Sequence, residues 1–466
     1  MKSLSKSWLS GLLGLLILIP AVCQADGYRL PSYQSTVLKN GLTVVLMEQH
    51  EVPLIDVRVA IRGGAMVDGD QSGLSHLTAQ SLLFGAGDRN KQELDHQFDF
   101  IGASVSASAN RDHSQMRASF AVRDLDTMLP ILGELLLDPT FDADEFAKFQ
   151  KRTLAQLGQQ KESPRSVISN YYHNLMLGDH PYASVPEGDA ETIEGFTRDD
   201  LAQFHKDWYQ PQNAILCVVG DFSTVDMLAR LDTMFGAWKK GDAVVPAVGP
   251  ISTPTEAQVL LVDKSDASES TFYIGGPGVA LTNPDRVGIQ VVNTILGGRF
   301  TSWLNDELRV NAGLTYGARS TFVSYGQGGL FQISTFTRTA TTFETIDLAL
   351  EVYERLWKNG IDEETLESAK SYVKGQFPPR YETSSQLAGL LVQMQLYGYD
   401  ESFINTFENK VNNLDVAETK RLVDTYFPRE NMQMVIVGNA GEIREGLGKY
   451  GTLHEVDIKA NGFDFD

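Results

Sequence analysis

Two short stretches hold the side chains best placed to do chemistry. In Gly73-Leu74-Ser75-His76-Leu77-Thr78-Ala79-Gln80-Ser81-Leu82-Leu83-Phe84-Gly85, residues Leu74, Leu77, Ser81 and Phe84 fall on one helical stripe, and His76 is the only imidazole. An imidazole can ligate a metal or carry a proton. A catalytic zinc, however, takes about three nitrogen, oxygen or sulfur ligands and keeps one position for water. The polar side chain one turn on, Gln80, is a neutral amide and a poor donor. The second stretch is Asp306-Glu307-Leu308-Arg309-Val310-Asn311-Ala312-Gly313-Leu314-Thr315-Tyr316-Gly317. A guanidinium fork at Arg309 and a phenol at Tyr316 can both donate to peptide carbonyls. That would fix an extended backbone and stabilise charge on an attacked carbonyl. The plain alternative is a surface arginine and a half-buried tyrosine at a strand start.

Other chemical candidates are weaker. Leu296-Gly297-Gly298-Arg299-Phe300-Thr301-Ser302 lacks the Lys-Ser/Thr of a phosphate loop and fits a turn into a helix over Trp303–Leu308. His50, His96, His113, His173 and His180 have no ligand spacing, and His180-Pro181-Tyr182 reads as a turn that places Tyr182 in the core. Neither His-x-x-Glu-His nor His-Glu-x-x-His occurs. Cys217 lies in the apolar run Ala214–Val219 and reads as a buried, inert thiol. Phe377-Pro378-Pro379-Arg380 and the end, Gly451–Asp466, show no catalytic pattern, and the end reads as a flexible or loosely packed tail.

The elements that must position these residues occur twice. Asn213 to Asp221 is echoed by Asn431 to Asn439, each a polar start, a strand and a glycine turn, and each preceded by Tyr-x-Pro (Tyr209, Pro211; Tyr426, Pro428). Ile61-Arg62-Gly63-Gly64-Ala65 likewise parallels Tyr273-Ile274-Gly275-Gly276-Pro277. Strand-like runs at Thr43–Met47, Ile55–Ile61 and Ser104–Ser108 alternate with helical spacing at Leu125–Leu137 and Phe146–Leu157. The expectation is an α+β chain of two similar domains, 26–240 and 257–466. Each is a largely antiparallel sheet with helices on one face, the other face being left for a partner or a chamber. Residues 241–256, with Pro246, Pro250 and Pro254, read as an extended linker.

Composition bounds the function. Of 466 residues, 42% are hydrophobic and 21% charged, which excludes a mainly disordered chain or a multi-span membrane protein. Lys and Arg number 39 against 60 Asp and Glu, a net charge of −21 that repels phosphate backbones and argues against nucleic acid. Residues 1–25 read as a signal peptide: Lys2 and Lys6, an apolar run from Trp8 to Ile19, Pro20, then Cys23-Gln24-Ala25. The run is too short to span a membrane, so cleavage after Ala25 and a periplasmic chain are expected. Lipoprotein anchoring at Cys23 is disfavoured by Val22 in the place of a small residue. Cleavage removes two lysines and no acid, taking the charge to −23, and leaves Cys217 without a disulfide partner.

Gly73-x-x-His76 resembles the zinc helix of the pitrilysin/insulinase metallopeptidases, whose Gly-x-x-His-x-x-Glu-His places two imidazoles one turn apart with a glutamate base between them. Asn40-Gly-Leu-Thr43, His180-Pro-Tyr182, Asn213 to Asp221, Leu296-Gly-Gly298, and Leu308-Arg309 through Tyr316 match in the family's order, so the resemblance covers nearly the whole mature chain. It implies two homologous domains in a half-clamshell. Residue by residue, His76 matches the first histidine, Ala79 stands for the base, Gln80 for the second histidine, and Gln156, in Leu154-Ala155-Gln156-Leu157, for the glutamate ligand. The resemblance therefore implies neither a metal nor a cofactor on this chain, and no peptidase activity by it alone. His76 would instead sit against Gln80 and Gln156 as a neutral hydrogen-bonded cluster. Some members divide the work between two similar chains, one with the zinc helix and one with the Arg/Tyr pair. The resemblance thus implies a heterodimer with a homologous zinc-bearing subunit, in which Arg309 and Tyr316 bind an unfolded or extended peptide in the partner's active site. The alternative is a structural relative that cleaves nothing.

Overall fold

Alternating and β-branched apolar runs become strands wherever one or both faces are covered. The computed structural model describes residues 28–465; the signal peptide expected over 1–25, with Cys23, lies outside the described residues. The first sheet holds β1 (Gln34–Val37), β2 (Thr43–Glu48) and β3 (Leu54–Arg62). After a two-residue ribbon, β4 (Gly85–Ala86) with β5 (Arg89–Asn90), it continues with β6 (Ser104–Ala109), β7 (His113–Ala121) and β8 (Ala214–Gly220). Its order is β1-β2-β8-β3-β7-β6, antiparallel except between β2 and β8. The second sheet holds β9 (Gln258–Asp263), β10 (Glu269–Pro277), β11 (Arg319–Tyr325), β12 (Gly328–Arg338), β13 (Gln433–Gly438) and β14 (Thr452–Asp457), in the order β11-β12-β10-β13-β9-β14.

The duplication is visible at the centre of each sheet. β3 lies between β8 and β7 as β10 lies between β13 and β12. The rims differ, because β1 closes the first sheet antiparallel to β2 whereas β14 closes the second parallel to β9. The two Gly-Gly pairs also differ. Gly63 and Gly64 turn the chain beyond β3 at φ +124° and +39°, while Gly275 and Gly276 lie inside β10.

The end of the chain departs from the expected loose tail. β14 pairs in register with β9, and Phe463 is buried with its ring 5.1 Å from that of Tyr171. His454, Glu455 and Asp457 interrupt the alternation there, so only Leu453 and Val456 carry the packing, toward opposite faces.

Each sheet carries its own half's helices on one face. Val44, Leu46, Val57, Val59, Leu216 and Val218 pack with helices Leu125–Leu137, Arg198–Trp208 and Thr224–Phe235. The opposite face meets a helix from the other half. Val45, Met47, Ala60, Ile215 and Val219 pack with helix Ser384–Tyr397. Arg58 donates to the Ser385 carbonyl at 2.9 Å, and Arg62 to those of Leu396 and Gln395 at 2.7 and 2.6 Å. Reciprocally, helix Pro164–Leu177 lies on the second sheet against Leu260, Val262, Val435 and Val437. Tyr172 there donates to the Phe331 carbonyl at 2.7 Å.

The segment between the halves has neither helix nor strand over 241–254, and His180 holds it by donating to the Gly249 carbonyl at 3.0 Å. No helix among the described residues is long and apolar enough to cross a membrane.

Candidate functional site

The helix bearing His76, Leu74–Ser81, is built by its N-terminal turn. Gly73 sits at φ +94° and packs so closely on Gly188 that a Cβ would approach its Cα to 2.8 Å. Buried Asp68 accepts from the Gly73 and Ser75 amides at 3.1 and 3.0 Å and from the Ser75 hydroxyl at 3.1 Å. Those donors would normally hold a carboxyl low, but burial outweighs them and pushes Asp68 up to about 7. The folded state therefore keeps a proton that the unfolded chain releases near pH 4. Asp68 favours folding at low pH, and that contribution is lost as pH rises from about 4 through about 7, at most roughly 4 kcal/mol. In Asp68→Asn, which keeps an acceptor for the amides, the difference between urea midpoints at pH 5 and pH 8 should shrink relative to wild type.

The helix packs on β6 and on helix Arg198–Trp208. His76 is half-buried, and its Nδ1 makes no hydrogen bond among the described residues. Burial lowers its pKa, opposed by Glu187 and by the Ala109 carbonyl, a shift that favours the neutral ring. Ala79 is fully buried and offers only a methyl group. Gln80 is half-buried, while Gln156 is exposed on helix Ala143–Gln160. No hydrogen bond joins His76, Gln80 and Gln156 among the described residues, so the expected neutral cluster does not form, and the Gln156 side chain is exposed.

A zinc ion, which the resemblance places here in active members, does not fit this donor set: one imidazole, one methyl and two carboxamides, one of them out in solvent. No three His, Cys, Asp or Glu side chains form a metal-holding group among the described residues. Calorimetric titration of the purified chain with zinc should show no sub-micromolar binding; such binding, lost in His76→Ala, would contradict this.

Arg309 and Tyr316 sit on one anchored segment of the second half. The helix beginning at Trp303–Asn305 loosens at Asp306–Asn311 into a π-type turn, with the Ala312 amide donating to Glu307 at 2.9 Å, rather than running on as one regular helix. Arg355 holds Glu307 at 2.7 Å. The loop after it is fastened by the Leu314 amide to Leu308 at 2.8 Å, by Thr337 to the Leu314 carbonyl at 2.8 Å, and by Thr335 to the Gly317 carbonyl at 2.9 Å. On this fixed base Tyr316 is 83% exposed, and its hydroxyl makes no hydrogen bond among the described residues. Arg309 lies over the Phe300 ring at 4.5 Å, and Phe300 and Val310 are themselves exposed. No hydrogen bond joins Arg309 to Tyr316, or either of them to the His76 helix, among the described residues.

Tyr182 is buried and Cys217 is a buried thiol whose pKa burial drives upward, both as the sequence suggests. Sequence reasoning missed the polar seam between the halves, where Asp112 accepts from Tyr182 at 2.7 Å and Tyr397 at 2.9 Å. The available signal was helix Ser384–Tyr397, apolar on nearly every side and therefore a helix sandwiched between layers.

A fold of two duplicated sheet-and-helix halves with a dismantled metal helix defines a degenerate two-domain peptidase homologue. Residues 43–187 match the family model for insulinase (peptidase family M16), and residues 195–373 match that for the peptidase M16 inactive domain. The chain belongs to peptidase family M16 and is a degenerate member of it. It is 25% identical to the zinc protease PqqE of Helicobacter pylori over 92% of this chain and 97% of that protein. It is 24% identical to the non-peptidase homolog YmxG of the same organism, over 85% and 91%. The crystal structure of a peptidase M16 inactive domain from Pseudomonas fluorescens superposes with a TM-score of 0.82 at 27% identity, covering 87% of this chain and 98% of that one.

Proposed function

We propose that this chain is the non-catalytic subunit of an exported zinc peptidase, one that binds extended peptide and lends Arg309 and Tyr316 to the active site of a homologous zinc-bearing subunit. The observation that carries the reading is the contrast between the two sites. The metal helix has lost its donors, while an unpaired, 83% exposed tyrosine is held on a loop tied down by several hydrogen bonds. Core packing does not call for such a tyrosine, and a hydroxyl offered to a ligand does. The peptide-like chemistry of the pair, and the similarity to both zinc proteases and a non-peptidase homolog, support the same reading. The signal-like pattern of residues 1–25 supports export and, with it, a periplasmic location for the pair.

The test is to purify the chain with a homologous zinc-bearing subunit and measure complex mass, metal per subunit and cleavage of unfolded peptide. The expected result is one zinc, on the other subunit, and activity only in the complex. A complex that forms but gains no activity from this chain would favour the scaffold reading.

A further inference from the structure

The face of the first sheet turned away from its own helices divides in two. Over β2 and β8 it is apolar, with Val45, Met47, Ile215 and Val219, while on β3 it carries Ala60 between Arg58 and Arg62; helix Ser384–Tyr397 covers β8 and β3. Over β7 and β6 it is polar: Ser104 stands opposite Ser119, Ser106 opposite Arg117, and Ser108 opposite Gln115. Ser104, Ser106 and Arg117 are exposed.

The charges on this face break a packing rule. Arg117 on β7 stands directly opposite Arg58 on β3, and His113 directly opposite Arg62. Like charges in such cross-strand pairs destabilise a sheet. The strain is legible at His113, which burial first, and then Arg117, Arg58 and Arg62, drive down to about 4. Arg58 and Arg62 have structural employment on the carbonyls of helix Ser384–Tyr397. Arg117 has none. Its Nε donates to Gln115 at 2.9 Å, and Gln115 donates to Ser108 at 3.3 Å, so a hydrogen-bonded chain from β6 fixes the guanidinium. Its two Nη groups have no hydrogen bond or ion pair among the described residues.

The acids nearby are already engaged. Asp56 is buried beside Arg58 and bonded to Ser119 and Ser385, with burial raising its pKa, and Asp112 is held by Tyr182 and Tyr397. On a chain with 60 acids and 39 bases, an oriented cation left without a counter-charge stands out. A fixed guanidinium fork with free Nη groups is suited to a carboxylate.

We propose that Arg117 is a specificity residue that selects acidic peptides, taking an Asp or Glu side chain of an extended peptide lying across the serine-lined face of β6 and β7. The inference rests on the peptide-handling reading above and adds the substrate class. Every second side chain of an extended peptide points to the same side, so acids at alternate positions present best to this face.

The test is fluorescence anisotropy at low salt, with one labelled ten-residue peptide in three versions carrying Glu, Gln or Lys at two alternate positions. The Glu version should bind about tenfold tighter than the Gln version, the scale of one charge-assisted contact. Arg117→Gln should erase that difference, and Arg117→Lys should keep part of it. Arg117→Glu should move the preference to the Lys version. Circular dichroism confirms that each variant is folded. Equal binding of the Glu and Gln versions, or a Glu preference that survives Arg117→Gln, overturns the inference and leaves the peptide-handling reading standing. No binding of any version overturns both.

Discussion

In the reconstituted complex with a zinc-bearing subunit, Arg309→Ala and Tyr316→Phe are each expected to lower kcat/KM by about 10²-fold, the cost of removing one donor aimed at developing charge in an acyl-transfer site. The complex itself should still form. Tyr316 is exposed and unbonded, and its loop is held by Thr335, Thr337 and Leu314 rather than by its own hydroxyl, so losing one oxygen leaves the fold intact. Arg309 rests on the exposed Phe300 ring and bridges no buried acid, so its truncation costs little stability. Steady-state kinetics with size-exclusion chromatography on the same samples separates the two effects. If both variants keep full kcat/KM, the pair has no part in catalysis; if they lose assembly instead, the pair is an interface.

The largest effect on stability is expected at Gly275. A Cβ there would come within 1.9 Å of the Phe331 carbonyl oxygen and 2.4 Å of the Tyr172 hydroxyl that donates to it. The first atom is backbone of the neighbouring strand β12 and cannot swing aside. The second belongs to a fully buried ring of the first half. Gly275→Ala must therefore spread two paired strands and push back helix Pro164–Leu177, a destabilisation of at least about 3 kcal/mol. Tyr172→Phe, which removes one hydrogen bond and leaves the strands untouched, should cost only about 1 kcal/mol. Chemical denaturation of both variants makes the comparison, and a Gly275→Ala midpoint equal to wild type would mean that the helix does not seat on β10 as described.

The central strands were legible because their chemistry is redundant. Ala214–Gly220 and Gln433–Gly438 are apolar runs bounded by Asn and Gly, and both are buried along their whole length. Helices Leu125–Leu137 and Ala143–Gln160 show the helical period because one face is wet. The donor set around His76 is a matter of residue type, and so can be listed from the sequence without any geometry. Geometry set by distant packing was not. Nothing local says that Gln156 turns outward, that helix Ser384–Tyr397 crosses to the other half, or that β14 finds a parallel neighbour in β9. The π-type turn at Asp306–Asn311 was equally hidden, because the side chains that shape it, Arg355, Thr335 and Thr337, lie far along the chain.

The exchange of helices between the two sheets has a consequence for how the molecule comes apart. The opening residues join it as well, Tyr28 donating to the Tyr381 carbonyl and Leu30 to Asn405, while Lys161 grips the closing segment at Gly462. A protease that cuts the exposed span at 241–254 would produce two fragments that still migrate together, melt in one transition and part only in denaturant. Neither fragment expressed singly would find a surface for its lent helix, so each half is expected to depend on the other to fold.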